Sequence, residues 1–119
     1  MIMSEHNKID LIEFPADSAS ELSAVQNFFT NVFGWSFKVW GDEYIDTADS
    51  GVTSGVNATD PKMRQKMPLT VIYVEDLEVT KEKIVSSGGT ILIDTYAFPG
   101  GRRFHFSDPA GNELAVWSK

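Results

Sequence analysis

Glu13 is the acid best placed for chemistry in this chain, because it interrupts the apolar run Leu11-Ile12-Glu13-Phe14. A carboxylate inside an apolar strand is costly to bury unless it is paired. Glu13 therefore either meets a cation of the protein, such as Arg102 or Arg103, or faces a wet cleft where it recognises a donor or a cation. Arg102 and Arg103 follow Pro99-Gly100-Gly101, and a guanidinium on a glycine-rich loop can grip an anion through two parallel hydrogen bonds. The plainer reading of that loop is a solvated turn. His6 belongs to a polar leader and His105 is alone on its strand, and a lone histidine is more often packed or surface-exposed than a ligand. Trp40, Tyr73 and Trp117 can hold an aromatic or amphipathic small molecule, although packing or a subunit interface is the commoner use of such rings. No phosphate loop, Ser-His-Asp arrangement or pair of catalytic carboxylates has the spacing its chemistry needs.

The elements that must position these residues follow one pattern stated twice. Residues 9–14 read as a strand ended by Pro15, with Asp17 or Ser18 capping the helix that follows. That helix is predicted over 20–32, where Leu22, Val25, Phe28, Phe29 and Val32 recur at spacings of three and four and give one buried face, and Gly34 stops it. Strands are predicted over 36–40, 43–47 and 52–58, joined by short polar and glycine turns. A second round begins with a strand over 68–75 and a helix over 77–86 ended by Gly88-Gly89. Strands over 90–98, 102–107 and 113–118 complete it. The order is βαβββ twice, in modules over about 9–58 and 68–118, joined by a linker over 59–67 that holds the turn Thr59-Asp60-Pro61 and the cations Lys62, Arg64 and Lys66.

Composition narrows the function classes. At 119 residues the chain is one domain, large enough to bury about two thirds of its unfolded surface. It has no cysteine, which excludes disulfides, thiolate metal sites and a thiol nucleophile. Seventeen acidic against ten basic residues give a net charge of −7, the wrong balance for a phosphate-backbone partner. The start is polar, and no apolar stretch is long enough for export or membrane insertion, so a cytoplasmic protein is the default.

The doubled order, together with Asn31-Val32-Phe33-Gly34-Trp35 after the first helix, Gly88-Gly89 after the second and Asp108-Pro109-Ala110-Gly111-Asn112 before the last strand, closely resembles the vicinal oxygen chelate superfamily. This is the glyoxalase, bleomycin-resistance and extradiol-dioxygenase group, and the likeness covers nearly the whole chain. It implies an α+β fold in which the two βαβββ modules form a curved mixed sheet around a concave cavity, commonly in a homodimer. The motifs themselves read as scaffold: the Asp108 turn is tight, and Trp35 is expected to plug the core between helix and sheet.

The resemblance also implies where a divalent ion would be held, by His, Gln or Glu on the first and last strand of each module. Here the matching positions are Leu11 by strand alternation or Asp10 by strict spacing, then Gly55 or its neighbour Ser54, Leu69 and Ala115. At best one of these carries a donor, and a catalytic metal ordinarily needs three. Glu113 shares the side of Ala115 but stands two residues from its place. No metal or other cofactor is therefore expected. The expected function is metal-free binding of a small aromatic or amphipathic molecule by Glu13, Trp40, Tyr73, Arg103, His105 and Trp117, in a homodimer that contacts neither nucleic acid nor membrane. One alternative is a lyase, isomerase or dioxygenase whose displaced metal would need Glu13 and His105, with Asp46, to converge. Another is an interaction subunit whose concavity is filled by a partner chain or by its own side chains.

Overall fold

The computed structural model describes residues 4–59 and 67–119. Its elements run β1 (Lys8–Pro15), α1 (Ala19–Phe33), β2 (Lys38–Trp40), β3 (Tyr44–Thr47), β4 (Ser54–Asn57), β5 (Leu69–Tyr73), α2 (Leu77–Ser86), β6 (Thr90–Phe98), β7 (Gly101–Ser107) and β8 (Glu113–Ser118). The α+β class and the twice-repeated βαβββ order are those the sequence implies. Residues 60–66 of the linker, with its three cations, lie outside the described residues. No helix among the described residues is long and apolar enough to cross a membrane.

The chain divides into two compact units. One holds Leu11–Leu69, and the other holds Thr70–Lys119 with the described residues 4–10. These are the first and second modules. The strands of the first follow the order β2-β3-β4-β1 and those of the second β6-β7-β8-β5. In each module the pairing of the first with the last strand is parallel and the others are antiparallel.

Local chemistry fixes the helix ends. Ser18 accepts the Glu21 backbone N–H at 3.1 Å while the Glu21 carboxylate accepts that of Asp17 at 2.9 Å, a reciprocal cap on α1. Gly34 ends that helix with φ 74°, a left-handed conformation that costs glycine little. Asp76 caps α2 by accepting from Val79 at 3.1 Å. The turn before β8 is tied by Asp108, whose carboxylate accepts the Ala110 and Asn112 backbone N–H groups at 2.9 Å and the Asn112 side-chain amide at 2.8 Å. The hydrogen bond from the Asn112 side chain, with the backbone ones, holds the exposed Asp108 carboxyl below its ordinary pKa.

Each helix packs on one face of its own sheet. In the first module Ala16, Leu22, Ile45 and Val56 form the core, with Val25, Phe37 and Ala58 around it. In the second the core is Val74, Leu77, Phe104 and Val116, flanked by Ile72, Ile84, Ile91 and Phe106. Two expectations about the first core need correction. Phe28 and Val32 do not join the buried face of α1 but stand more than half exposed, while Leu22 and Val25 make the contact with the core. Trp35 does not plug the core either. It lies flat on Phe29, with ring centroids 5.0 Å apart, and stacks on Phe33, closing an aromatic cluster at the end of α1 while Phe37 reaches the core. The leader is also anchored more firmly than its composition suggests. His6 Nδ1 accepts the Glu75 backbone N–H at 3.0 Å, and the Asn7 N–H donates to the Tyr73 carbonyl at 2.8 Å.

Candidate functional site

Register decides which side chains share a surface. In the second module Phe104 and Val116 are paired and face α2, so their strand neighbours point the other way. On that other face one continuous row crosses all four strands: Tyr73 opposite Trp117, Trp117 opposite Arg103, Arg103 opposite Tyr96. The next row is Val71, Ala115 and His105, and Glu113 lies beyond it along β8. Two of the predicted residues, Tyr73 and Trp117, meet edge to face at 4.9 Å, and Phe98 adds a third ring 5.9 Å from Trp117. The indole N–H of Trp117 donates to Asp10 at 3.2 Å, and Asp10 also accepts from Ser4 at 2.6 Å. Asp10, the only carboxylate among the positions matched to the family's metal ligands, is thus engaged by its own module.

Arg103 does not sit on a solvated turn. Gly101–Ser107 is strand β7, and Arg103 is buried in it, with its guanidinium over the rings of Tyr96 and Phe98 at 5.6 and 5.9 Å. Its neighbour Arg102 points to the helix side, half exposed, where it makes a surface ion pair with Glu78 at 3.6 Å. His105 is not a lone histidine. It is completely buried and bonded at both ring nitrogens, Nε2 to the Tyr96 hydroxyl at 2.8 Å and Nδ1 to Glu113 at 3.0 Å. Arg103 Nε donates to the same Tyr96 oxygen at 2.6 Å. A cation, a phenol, an imidazole and a carboxylate are thus connected in a single file.

The first module carries a polar centre of its own. Ile45 and Val56 face α1, so Glu13, Gly55 and Asp46 share the opposite face, one opposite the next. Glu13 is 1% exposed. Within its module it accepts from the Tyr44 hydroxyl at 3.0 Å and the Asn57 side-chain amide at 3.2 Å, and Asn57 Oδ1 in turn accepts from the Thr59 backbone N–H and hydroxyl. Tyr44 reaches Glu13 by crossing β4 at Gly55, where any Cβ would run into its hydroxyl. Trp40, the remaining predicted residue, lies at the edge of this sheet, half exposed with Lys38 Nζ 4.1 Å from its ring centroid.

The donor set does not fit the family's usual ion. Leu69 and Ala115 are buried hydrocarbon. Gly55 has no side chain, and the space that a donor there would use is filled by Tyr44. Ser54 lies on the α1 side and bonds Ser50 and the Val52 carbonyl. The displaced alternative finds no support in grouping, since no three His, Asp or Glu side chains gather as a metal site among the described residues.

Tyr96, Glu113, Tyr44 and Asn57 are the members of these two centres that the sequence reading did not select. Glu113 left a signal, being on the side of Ala115 and two residues from it. A tyrosine and an asparagine in short strands around a buried acid leave none until the register is known.

Comparison with known proteins agrees with the architecture. Residues 18–116 match the family model described as Glyoxalase/Bleomycin resistance protein/Dioxygenase superfamily. A "Putative glyoxylase CFP32" of Mycobacterium bovis is 25% identical over 108 residues, covering 82% of this chain, while the chain spans only 41% of that protein's length. A "Glyoxylase-like domain-containing protein" of Didymella fabae is 28% identical, with 96% of this chain and 95% of that protein covered. Among solved structures, a glyoxalase/bleomycin resistance protein/dioxygenase superfamily member from Vibrio splendidus is similar in fold at a TM-score of 0.65 and 16% identity, over 92% of this chain and 97% of that one. With the family model covering most of the sequence, the chain belongs to the glyoxalase, bleomycin-resistance and dioxygenase superfamily.

Proposed function

We propose that this protein binds a small molecule with a flat apolar part on the face of the second module away from α2, without a metal ion at the positions its family ordinarily uses. The observation that carries the reading is the cross-strand row Tyr73, Trp117, Arg103 and Tyr96, which sets two stacking rings beside a cation and a phenol. Small-molecule sites are mostly apolar surfaces with a few convergent polar groups, and this row has that composition. The donor-poor positions Gly55, Leu69 and Ala115 support the metal-free half. Glu13, held by Tyr44 and Asn57, is a structural acid in this reading.

Titrating the protein with simple phenols and aromatic carboxylates, with aliphatic alcohols of similar size as controls, tests the proposal by tryptophan fluorescence. The aromatic series is expected to quench saturably in the native protein and to lose most of that quenching in Trp117→Phe. Equal quenching in Trp117→Phe and in a Trp40→Phe control would overturn the placement. Elemental analysis after incubation with manganese, iron, nickel or zinc is expected to find no stoichiometric metal. One tight equivalent would favour the lyase, isomerase or dioxygenase alternative instead.

A further inference from the structure

With His105 neutral, donor chemistry gives every hydrogen bond in the row from Arg103 to Glu113 one direction. An arginine Nε can only donate, so the 2.6 Å contact places its proton on the Tyr96 oxygen. A carboxylate can only accept, so the 3.0 Å contact to Glu113 requires the proton of neutral His105 to be on Nδ1. Nε2 then presents a lone pair, and at 2.8 Å the Tyr96 hydroxyl donates to it. The phenolic proton of Tyr96 is therefore already aimed at a base, and that base is held in the required tautomer by an acid behind it. The burial is graded as well: His105 is fully buried, Glu113 is partly exposed with 23% of its side chain accessible, and Tyr96 is partly exposed at the other end.

We propose that Tyr96, His105 and Glu113 form a proton relay that accepts the hydroxyl proton of a bound phenol or enol, so that the ligand is held as its oxyanion. In the step, the ligand O–H bond breaks and its proton goes to the Tyr96 oxygen, while the Tyr96 O–H bond breaks and its proton goes to His105 Nε2. The ligand gains one negative charge and the imidazole one positive charge, so the total is unchanged and no co-reactant is needed. Each new charge has a counter-charge close by. The imidazolium lies 3.0 Å from the Glu113 carboxylate, and the oxyanion lies beside the oxygen that Arg103 already polarises. In a buried setting such an alternation is worth more than it is in water. Tyr96 touches the ligand, whereas His105 and Glu113 are positioning residues that store the proton.

The ligand class rests on the binding reading above, because Trp117 and Tyr73 stand in the same row as Tyr96 and would stack the ring that carries the hydroxyl. Among the described residues of this module, an ion pair stands on the helix side, while Asp10 and Lys119 lie against the stacking rings. Lys81 of α2 and Asp94 of β6 pair at 2.8 Å on the helix side, Asp10 accepts from Trp117, and Lys119 lies 5.9 Å from the Tyr73 ring centroid.

Para-nitrophenol is a suitable probe because its neutral and ionised forms differ in colour. Bound to the native protein it is expected to ionise at least one pH unit below its free value, a tenfold shift in acidity. In Tyr96→Phe that shift should vanish while tryptophan quenching remains, and in Glu113→Gln it should shrink. A bound probe that titrates like the free one, or a shift that survives Tyr96→Phe, overturns the relay but leaves the binding reading standing. Absence of quenching would instead remove the binding reading. Nitrogen-15 spectra of His105 then decide the relay alone: a proton on Nδ1 with Nε2 bare supports it, and a proton on Nε2 ends it.

Discussion

Ile45 opposite Val56 in the first module corresponds to Phe104 opposite Val116 in the second, and on the far face Asp46, Gly55 and Glu13 correspond to His105, Ala115 and Val71. One row further, Trp40, Tyr44 and Asn57 correspond to Tyr96, Arg103 and Trp117. The frame is the same, but the chemistry it carries is different. The first module buries a carboxylate on its first strand and meets it with a phenol and an amide. The second puts valine there and carries its polar groups on the last three strands, as a linked row of guanidinium, phenol, imidazole and carboxylate. On the proposed relay, a polar centre on this face can be built to hold still or built to move a proton. Which of the two results depends on whether its members are neutral donors around one acid or alternating acids and bases.

The largest effect expected from testing this comparison is in the cores. Phe104→Ala should cost about 3–5 kcal/mol and Ile45→Val, at the matching place, about 0.5–1.5 kcal/mol, as measured by chemical denaturation. Near-equal values would mean that the two helices do not rest on comparable cores. The polar centre of the first module comes next. Glu13→Leu should destabilise by about 1–3 kcal/mol, because it leaves the Tyr44 and Asn57 donors buried without their acceptor. Gly55→Ala should cost a similar amount, about 1–3 kcal/mol, through the collision with Tyr44. Combining Gly55→Ala with Tyr44→Phe should cost less than the sum of the two, whereas strict additivity would show that Gly55 and Tyr44 are not coupled.

The smallest effect is electrostatic. The folded pKa of Asp108 is lowered, so its turn contributes stability that is present above the ordinary carboxylate range and is lost as pH falls through the folded value. Asp108→Asn should therefore flatten the acid limb of the stability curve below about pH 4 and change little at neutral pH. An unchanged acid limb would place the turn's stability in the backbone alone.

Much of the frame was legible because periodicity and punctuation are local. α2, β6 and β8 begin and end where the spacing of apolar residues, the aspartate cap and the glycines place them. The site was legible only in part. Alternation put Glu13, Tyr73 and Trp117 on the faces away from the helices, but partners come from register, and register is a long-range property. Glu13 and Asn57 are 44 residues apart in sequence, and Trp117 and Asp10 are 107 apart. Nothing in either segment announces the other. His105 looked solitary for the same reason, since its two partners belong to the strands on either side of its own. The exposed Phe28 and Val32 share the helical stripe of Leu22 and Val25, and spacing alone cannot report how much of a stripe its neighbours cover.

Tyr44 lying across Gly55 also constrains how a metal donor could be introduced at that position. A carboxylate or imidazole introduced at position 55 would meet the tyrosine before it could meet an ion, so the single change is expected to fail on stability alone. The passable route has an order: shorten residue 44 first, accept a weakened hold on Glu13, and only then add the donor. The glycine is thus less a blank awaiting a ligand than one half of a lock whose other half is the phenol.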